Sequence, residues 1–335
     1  MDERSQLLGS IAGTIEDYRA DELATPTPAH VNRWINQFAL ANQLPLLREI
    51  DHVLKDTYYS RNTISQFLAG LVVSNALAGT EPCVFWKSAN FLRIQQHGES
   101  QQALLEIFDQ CLREHCGFGV DACGSPAGPC IYLDDILFSG NRIGNDLEPW
   151  IANDAPSVAT VHVIVMEVHT LGEYHAKKRL KAAATKASKS IDIKYWRADT
   201  IENRLAQKDN SQVLWPALLP QNANLAAYMA QQTKFPLVPR IAGGKPKPFS
   251  SETGRQLLES ELLLAGVNIL SWCRNPKEVM RPLGFSNFGL GFGSMTVTFR
   301  NCPNNCPLAL WWGDPTQHAG NPLSRWYPLV PRKTY

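Results

Sequence analysis

A short apolar run that ends in two acids is the feature that most restricts how this chain folds. Cys130–Leu133 is apolar, Asp134 and Asp135 follow directly, and a polar loop at Ser139–Arg142 precedes a helical pattern at Gly144–Trp150. A buried strand would hold the acids rigidly, and the loop N–H groups and the helix N-terminus both favour an anion. The stretch therefore predicts an α/β protein with a site for a phosphorylated sugar.

These residues resemble the signature of the type I phosphoribosyltransferases, in which a strand, two acids, an apolar pair and a small-residue loop follow one another. The resemblance implies that Asp134 and Asp135 contact the ribose hydroxyls of phosphoribosyl pyrophosphate, with Mg²⁺ as cofactor. It also implies that the 5′-phosphate is held by a loop of Ser139, Gly140, Asn141 and Arg142. Arg142 stands where the family has threonine, and a guanidinium also binds phosphate. An ordinary buried strand followed by an Asp-rich turn is the alternative interpretation.

The flanking segments predict the sheet that would surround this signature. Pro82–Trp86 and Phe91–Ile94 are short apolar segments that we interpret as strands. Val158–Met166 is a β-branched run typical of a strand covered on both faces, and Ile191–Trp196 alternates like an edge strand. Because crossover connections of this length join parallel strands, we predict a doubly wound, mostly parallel sheet of the type I phosphoribosyltransferase kind.

Two other segments supply further candidates for the same pocket. The loop at Gln95–Gln102 stands where the family receives pyrophosphate, which makes Gly98 and Ser100 candidates; a plain helix N-cap is the alternative. Glu167 and His169 follow the β-branched run. Since ligands of open α/β sheets bind outside the carboxyl ends of the strands, these two residues are candidates as well, and a solvated strand end is their alternative.

The segments outside this core differ from it in composition. Apolar residues recur at helical spacing before residue 80, which predicts a helical N-terminal section at 1–79. The phosphoribosyltransferase-like core is expected at 80–235. A Pro-, Gly- and Lys-rich stretch at 236–248 then begins a C-terminal α+β extension, 236–335, that we expect to pack on the core.

A stiff turn near the C-terminus extends the resemblance. Pro303–Pro307 presents Asn304 and Asn305 before an apolar segment with two tryptophans. Together with the core, this turn resembles phosphoribosyltransferase-like proteins proposed as effectors in bacterial conflict and anti-phage defence, some beside retron reverse transcriptases. The resemblance implies a toxin that transfers a glycosyl group or modifies a nucleotide, with Asn304 and Asn305 as possible pocket residues and a retron nucleic-acid complex as a partner. The alternative is a catalytically inactive nucleotide sensor or a subunit of such a complex.

Composition argues against several other classes of protein. Apolar residues make up 44% of the chain, charged residues 19%, and the net charge is +1, so the chain shows no global attraction to nucleic acid or a membrane. No apolar run reaches the roughly 18 residues that span a bilayer, and the N-terminus lacks a signal-peptide pattern. We therefore expect a cytoplasmic protein whose eight cysteines are reduced thiols. The cysteine spacing disfavours a structural zinc site.

A helix rich in Lys and Arg is predicted at Glu173–Ser188. At about 100° per residue its cations spread around the axis instead of forming one stripe. This spread favours a solvated face over a nucleic-acid surface. An oligomer is possible, and the sequence leaves the number of subunits open.

Overall fold

The computed structural model describes residues 2–95, 99–232, 235, 237–244 and 247–332. Twelve α-helices lie in these residues: α1 (Glu3–Thr14), α2 (Pro28–Ile35), α3 (Leu40–Thr57), α4 (Arg61–Val72), α5 (Asn75–Ala78), α6 (Pro82–Ser88), α7 (Ser100–Cys116), α8 (Asn141–Asn153), α9 (Thr170–Lys186), α10 (Ala223–Gln231), α11 (Glu252–Trp272) and α12 (Leu308–Trp311). Nine strands accompany them in the same residues: β1 (Tyr58–Tyr59), β2 (Asn90–Phe91), β3 (Cys130–Leu133), β4 (Ile136–Leu137), β5 (Val158–Ile164), β6 (Glu167–His169), β7 (Ser190–Trp196), β8 (Asp199–Ile201) and β9 (Val297–Thr298).

The chain forms two compact units. One unit is Arg61–Asn203, which contains the phosphoribosyltransferase-like signature. The other combines Met1–Ser60 with Arg204–Tyr335. The boundaries predicted from composition at 79/80 and 235/236 stay a prediction.

Parallel strands organise the unit that carries the signature. β2, β3, β5 and β7 form a four-stranded sheet in that order, and every pair is parallel. Helices join successive strands, which is how a chain makes parallel neighbours. The predicted α/β class with a mostly parallel sheet is confirmed, and β7 lies at the predicted edge.

The parallel strands are interrupted at one common level. β3, β5 and β7 each stop for two residues and then continue as β4, β6 and β8, which form a second parallel sheet. Asp134 and Asp135 are the two residues at the break between β3 and β4, and we call them the acidic step. The Asp134 N–H donates to the Ile164 carbonyl at 3.1 Å, and the Asp135 carbonyl accepts from Met166 N–H at 2.8 Å. The backbone therefore stays hydrogen-bonded through the break, while both acid side chains are held in place.

The two faces of the four-stranded sheet bury different side chains, as strand alternation requires. Tyr132 and Val163 face a core shared with apolar residues of α8 and α9. His162 lies on the opposite face, where the Trp196 indole N–H donates to its Nδ1 at 2.8 Å and the Phe85 ring packs edge-on at 5.8 Å. Both faces are covered, which explains the apolar character of the second half of β5.

The other unit buries a compact ion cluster. Arg240 Nη2 lies 2.8 Å from Glu252 Oε1 and 3.0 Å from Glu259 Oε2, and Arg255 Nε lies 2.8 Å from Glu259 Oε1. Arg240, Arg255 and Glu259 are each at most 3% exposed. Two cations and two anions in contact balance their charge, so this cluster is a structural element of the unit.

The predicted strand at Pro82–Trp86 is wrong, because this segment is helix α6 (Pro82–Ser88). Pro82 stands at the first helical position, where its missing N–H costs nothing and its fixed φ suits a helix. Trp86 is fully buried while Val84 is 64% exposed, a one-sided burial that a helix provides. The first strand of the sheet is β2 (Asn90–Phe91), which overlaps the strand predicted at Phe91–Ile94 only at Phe91.

The expectation of eight reduced cysteines is wrong for Cys83 and Cys116, which form a disulfide. The helices α6 and α7 carry these cysteines, and their Cα atoms lie 5.4 Å apart, within the range a disulfide bridges. The spacing of 33 residues along the chain gives no hint of this approach.

The basic helix is α9, and some of its cations have acidic partners. Arg179 pairs with Glu148 at 2.7 Å, and Lys177 pairs with Glu173 at 2.7 Å. These pairs support the interpretation of a solvated face. In the described part of the chain, no helix combines the length and apolar character needed to cross a membrane.

Candidate functional site

The acidic step is held by contacts from three directions. Asp134 is 3% exposed, and its Oδ1 accepts from the Ser100 hydroxyl at 2.7 Å and from the Asp135 N–H at 3.0 Å. Asp135 is half-buried, and its own Oδ1 accepts from the Ile136 N–H at 2.8 Å. Each carboxylate is thus fixed by its neighbours rather than free to rotate into solvent.

Asp134 has an unusual affinity for a proton. Burial, followed by the charge of neighbouring Asp135, raises the pKa of Asp134 from 3.8 to about 7. The Ser100 hydroxyl, the Arg142 charge and the Asp135 N–H oppose this rise. Two adjacent carboxylates in a buried place cannot both ionise cheaply. Asp134 is therefore poised to change protonation state near neutral pH.

A pair of glutamine amides ties the loop before α7 to this step. Gln101 is 3% exposed, and its Oε1 accepts from Ile94 N–H at 3.0 Å and Gln95 N–H at 3.1 Å. The Gln95 amide in turn donates to Ser100 Oγ at 3.0 Å. The candidate Ser100 thus lies beside Asp134, and its role in a pocket stays a prediction. Gly98 lies outside the described residues.

The loop after β4 forms the start of helix α8. Gly140 has φ of 76°, a left-handed conformation that glycine adopts without strain. A Cβ at Gly140 would stand 2.4 Å from the carbonyl oxygen of Gly172 in the first turn of α9, so the loop before α8 touches the start of α9 through two glycines. Asn141 N–H donates to Ser139 Oγ at 3.4 Å. The first N–H groups of α8 have no partner inside the helix, and with the macrodipole they suit an anion.

Arg142 is exposed in the first turn of α8. Its charge lowers the pKa of Asp134, so the guanidinium and the acidic step belong to one electrostatic environment. An exposed guanidinium at a helix N-terminus can meet a phosphate from the solvent side. The structure thus brings all four predicted loop residues, Ser139, Gly140, Asn141 and Arg142, to the helix start that follows the acids.

Glu167 and His169 lie in β6, directly beside β4. Glu167 is the register partner of Ile136, and His169 Nε2 lies 3.2 Å from Glu167 Oε1 with both residues at most 1% exposed. The Phe138 ring packs 5.1 Å from the His169 ring, which connects the pair to the loop. They are buried side chains of the second parallel sheet rather than a solvated strand end. Their role in a pocket stays a prediction.

Asn304 and Asn305 belong to the other unit. The Cys306 N–H donates to the Pro303 carbonyl at 3.1 Å, so Pro303–Cys306 forms the predicted turn. The Asn305 side-chain amide donates to the Phe285 carbonyl at 3.1 Å, and the Asn304 carbonyl accepts from Phe285 N–H at 2.7 Å. These contacts give both residues a structural role inside their own unit, and their part in a pocket stays a prediction.

Sequence reasoning missed three buried polar residues near the step. Tyr132 donates its hydroxyl to Asp146 Oδ2 at 2.6 Å, and Gln101 donates from Nε2 to the Leu133 carbonyl at 3.4 Å. Burial, then the charges of Asp134 and Asp146, raises the pKa of Tyr132 far above its usual value, which keeps the phenol a neutral donor. Asp146 stands four residues after Arg142 on α8, and that helical spacing was its only signal in the sequence.

The acids of the step fit a divalent cation that arrives with its own ligands. No group of three or more His, Cys, Asp or Glu side chains placed to share a metal ion occurs in the described residues. Mg²⁺ is commonly bound by one or two carboxylates together with substrate phosphates. Asp134 and Asp135 supply that number of carboxylates, so the donor set suits Mg²⁺ with a diphosphate and does not form an all-protein cage.

Comparison with known proteins agrees with this geometry. The model of the PRTase-CE family matches residues 31–332, which is most of the chain. No curated protein and no solved structure gave a match. The matched region includes the parallel sheet, the acidic step and the loop that begins α8. The chain therefore belongs to the PRTase-CE family and is a phosphoribosyltransferase-like α/β protein.

Proposed function

We propose that the acidic step and the Ser139–Arg142 loop bind a phosphoribosyl donor, phosphoribosyl pyrophosphate or a related nucleotide, together with Mg²⁺. The observation that carries this proposal is the buried Asp134, whose pKa is raised to about 7 beside a second carboxylate. A buried acid of this kind costs stability, and such groups concentrate at functional sites. The loop and helix N-terminus that follow it supply a place for the 5′-phosphate.

The reaction we propose is glycosyl transfer from that donor to an acceptor. The bond between the anomeric carbon and the diphosphate oxygen breaks, the diphosphate leaves with the electron pair, and the acceptor forms the new bond and loses a proton. Asp134 and Asp135 accept hydrogen bonds from the ribose hydroxyls and stabilise positive charge on the sugar. Arg142 and the first N–H groups of α8 hold the phosphate. A bound Mg²⁺ would neutralise charge on the diphosphate.

Calorimetric titration with phosphoribosyl pyrophosphate and excess Mg²⁺ tests the site. Wild type and an Asp154→Asn control, which alters an exposed acid at the far end of α8, should bind with the same affinity. Asp134→Asn should bind at least tenfold more weakly, because the amide cannot carry the negative charge. Absence of binding heat with all three proteins would contradict the proposed phosphoribosyl site.

The same titration separates an enzyme from a nucleotide sensor when it is followed by a pyrophosphate assay. Release of diphosphate that is lost in Asp134→Asn supports the transferase. Binding without turnover, also in the presence of cell extract, favours a catalytically inactive sensing subunit.

For its biological setting we propose a cytoplasmic effector of anti-phage defence that acts with a retron or another nucleic-acid complex. This proposal is supported by the Pro303–Cys306 turn and the family-like core, and not by any basic surface stripe. Co-purification is the test: a defence complex should bring nucleic acid or a reverse transcriptase with the protein. A preparation free of nucleic acid, with no salt-dependent DNA or RNA binding, would count against it.

A further inference from the structure

A cavity in the unit formed by Met1–Ser60 and Arg204–Tyr335 lies apart from the signature in the chain. It occupies about 540 Å³ beside α10 and α11, a size typical of small-molecule sites. Its apolar wall includes Val267 and Leu270 of α11, and its polar lining includes Tyr228 and Arg281. Such a mixture of apolar wall and few polar groups is typical of a pocket for an organic ligand.

The charge of this cavity is positive because of a buried arginine. Arg281 is 3% exposed and lines the cavity together with Lys277 and Glu278. The exposed Lys277 and Glu278 balance each other formally. Arg281 therefore leaves the lining with one excess positive charge.

The neighbours of Arg281 do not neutralise it. Its Nη1 donates to the Gln232 side-chain oxygen, and its guanidinium lies over the Phe235 ring at 5.4 Å. Within the described residues its buried Nε has no hydrogen-bond partner, and no carboxylate forms an ion pair with it. The residues outside that description contain no aspartate or glutamate. The guanidinium is thus buried beside the neutral Gln232 amide and the Phe235 ring, and the Tyr228 phenol lines the same cavity.

Two other arginines of the same unit show what a structural buried arginine looks like here. Arg240 and Arg255 are 3% and 1% exposed, and each contacts Glu259 within 3.0 Å. Burial of a charge is costly unless an opposite charge compensates it. Arg281 is equally buried, but no carboxylate of the described residues forms an ion pair with it. An anionic ligand in the cavity would supply that counter-charge.

We propose that this cavity binds a small organic anion, a molecule with a carboxylate or phosphate group whose oxygens pair with Arg281. Arginine suits both groups because its planar donors match two oxygens at once. The apolar wall of α11 receives the body of the ligand. This site is independent of the phosphoribosyl site proposed above.

Thermal unfolding in sodium phosphate, sodium acetate and sodium chloride of equal ionic strength tests this proposal. A ligand that binds the folded protein raises its melting temperature with concentration, so wild type should melt higher in phosphate, in acetate, or in both, than in chloride. Kosmotropic salts such as phosphate also stabilise folded proteins nonspecifically, so only the part of a shift that is lost in Arg281→Met identifies phosphate or carboxylate as the group bound in the cavity. Equal melting in all three salts would overturn the proposal.

Variants locate the effect. Arg281→Met should weaken the apparent anion affinity at least tenfold while melting no lower than wild type in chloride, because it removes an uncompensated charge. Arg281→Lys should retain part of the shift. Asp134→Asn should retain the rise in melting temperature in acetate. In phosphate it should retain the part of the rise that comes from the cavity, and it can lose the part that comes from phosphate bound at the Ser139–Arg142 loop. An Arg281→Met protein that keeps the full shift, or that melts markedly lower in chloride, would show that Arg281 is structural and overturn the site.

Discussion

The two units bury carboxylates in opposite ways. Glu259 is 1% exposed and contacts two arginines, whereas Asp134 is 3% exposed and has another carboxylate, Asp135, as its neighbour in the chain. The first arrangement balances its charge inside the fold and needs nothing further. The second retains a charge imbalance that a ligand can relieve. The difference distinguishes a buried acid that stabilises a fold from one that we propose binds a ligand.

The largest expected effect comes from a substitution that breaks the buried ion cluster around Glu259. Glu259→Gln leaves Arg240 and Arg255 short of negative charge, so the free energy of unfolding should fall by about 3–5 kcal/mol. Urea unfolding at pH 7 measures this fall in the free energy of unfolding. Calorimetry on the folded variant should show unchanged affinity for phosphoribosyl pyrophosphate. A change below about 1 kcal/mol would mean that the cluster is not the structural element described here.

The same acid-to-amide change at the acidic step should have the opposite sign. The folded pKa of Asp134 is about 7 against 3.8 as its ordinary value, so its ionisation destabilises the folded state increasingly as pH rises from about 4 through 7. Asp134→Asn should therefore raise the free energy of unfolding at pH 8 by about 2–4 kcal/mol and have little effect near pH 4. Urea unfolding across this pH range measures the difference. Destabilisation at pH 8 would remove the distinction between the two carboxylates.

A buried base sharpens the comparison because burial disfavours its charged form as well. Burial, then the charge of Lys194, lowers the pKa of His162 from 6.5 to about 4. A lowered folded pKa means that the stability present above pH 6.5 is lost as the pH falls towards 4. The loss should reach up to about 3 kcal/mol. Its window overlaps that of Asp134 with the opposite sign, so wild type alone shows only their sum.

The contributions of Asp134 and His162 are separated by subtracting the wild-type curve of unfolding free energy against pH from the curve of each variant. His162→Gln keeps an acceptor for the Trp196 N–H and cannot take up a proton, so it should lose the acid-induced destabilisation between pH 6.5 and 4. The Asp134→Asn curve should differ from wild type in the reverse direction. If His162→Gln unfolds with the same pH dependence as wild type, the imidazole is not the buried neutral group that its contacts indicate.

The smallest expected effect concerns Ser100. Its hydroxyl donates to Asp134 at 2.7 Å and lowers the pKa of that carboxyl. Ser100→Ala should raise the pKa of Asp134 further and change the free energy of unfolding by only about 1 kcal/mol. The pH dependence of the free energy of unfolding, measured in urea, gives the pKa of Asp134 in each variant. Ser100→Thr is the control, because it keeps the hydroxyl. An unchanged pKa of Asp134 in Ser100→Ala would show that the hydrogen bond does not tune the acid.

The sequence predicts the strands and helices around the signature because their patterns are strong. The β-branched run at Val158–Met166 and the acids before Ser139–Arg142 gave the right elements in the right order. The predicted strand at Pro82–Trp86 is wrong because a short apolar segment suits a strand and a helix equally, and Pro82 is its only sign of a helix start.

The finer arrangement of the site depends on tertiary contacts that a linear pattern does not contain. Asp134 and Asp135 read as the end of a strand, yet the chain continues as β4 because neighbouring strands break at the same level. Gln101 acts through amide contacts to three backbone groups, and a glutamine in a first helical turn carries no signature of such a role. The raised pKa of Asp134 likewise follows from burial, which only the folded chain creates.

The most direct test of the central claim is the carboxyl ¹³C NMR titration of Asp134, assigned by its loss in the Asp134→Asn spectrum. We expect a pKa of about 7 in the free protein, because the carboxyl is buried beside Asp135. Saturating phosphoribosyl pyrophosphate with Mg²⁺ should lower that pKa, since the ligand brings cationic and hydroxyl partners to the acid. A midpoint near 4 in the free protein, and a signal unmoved by the ligand, would contradict the assignment of the acidic step as a binding site.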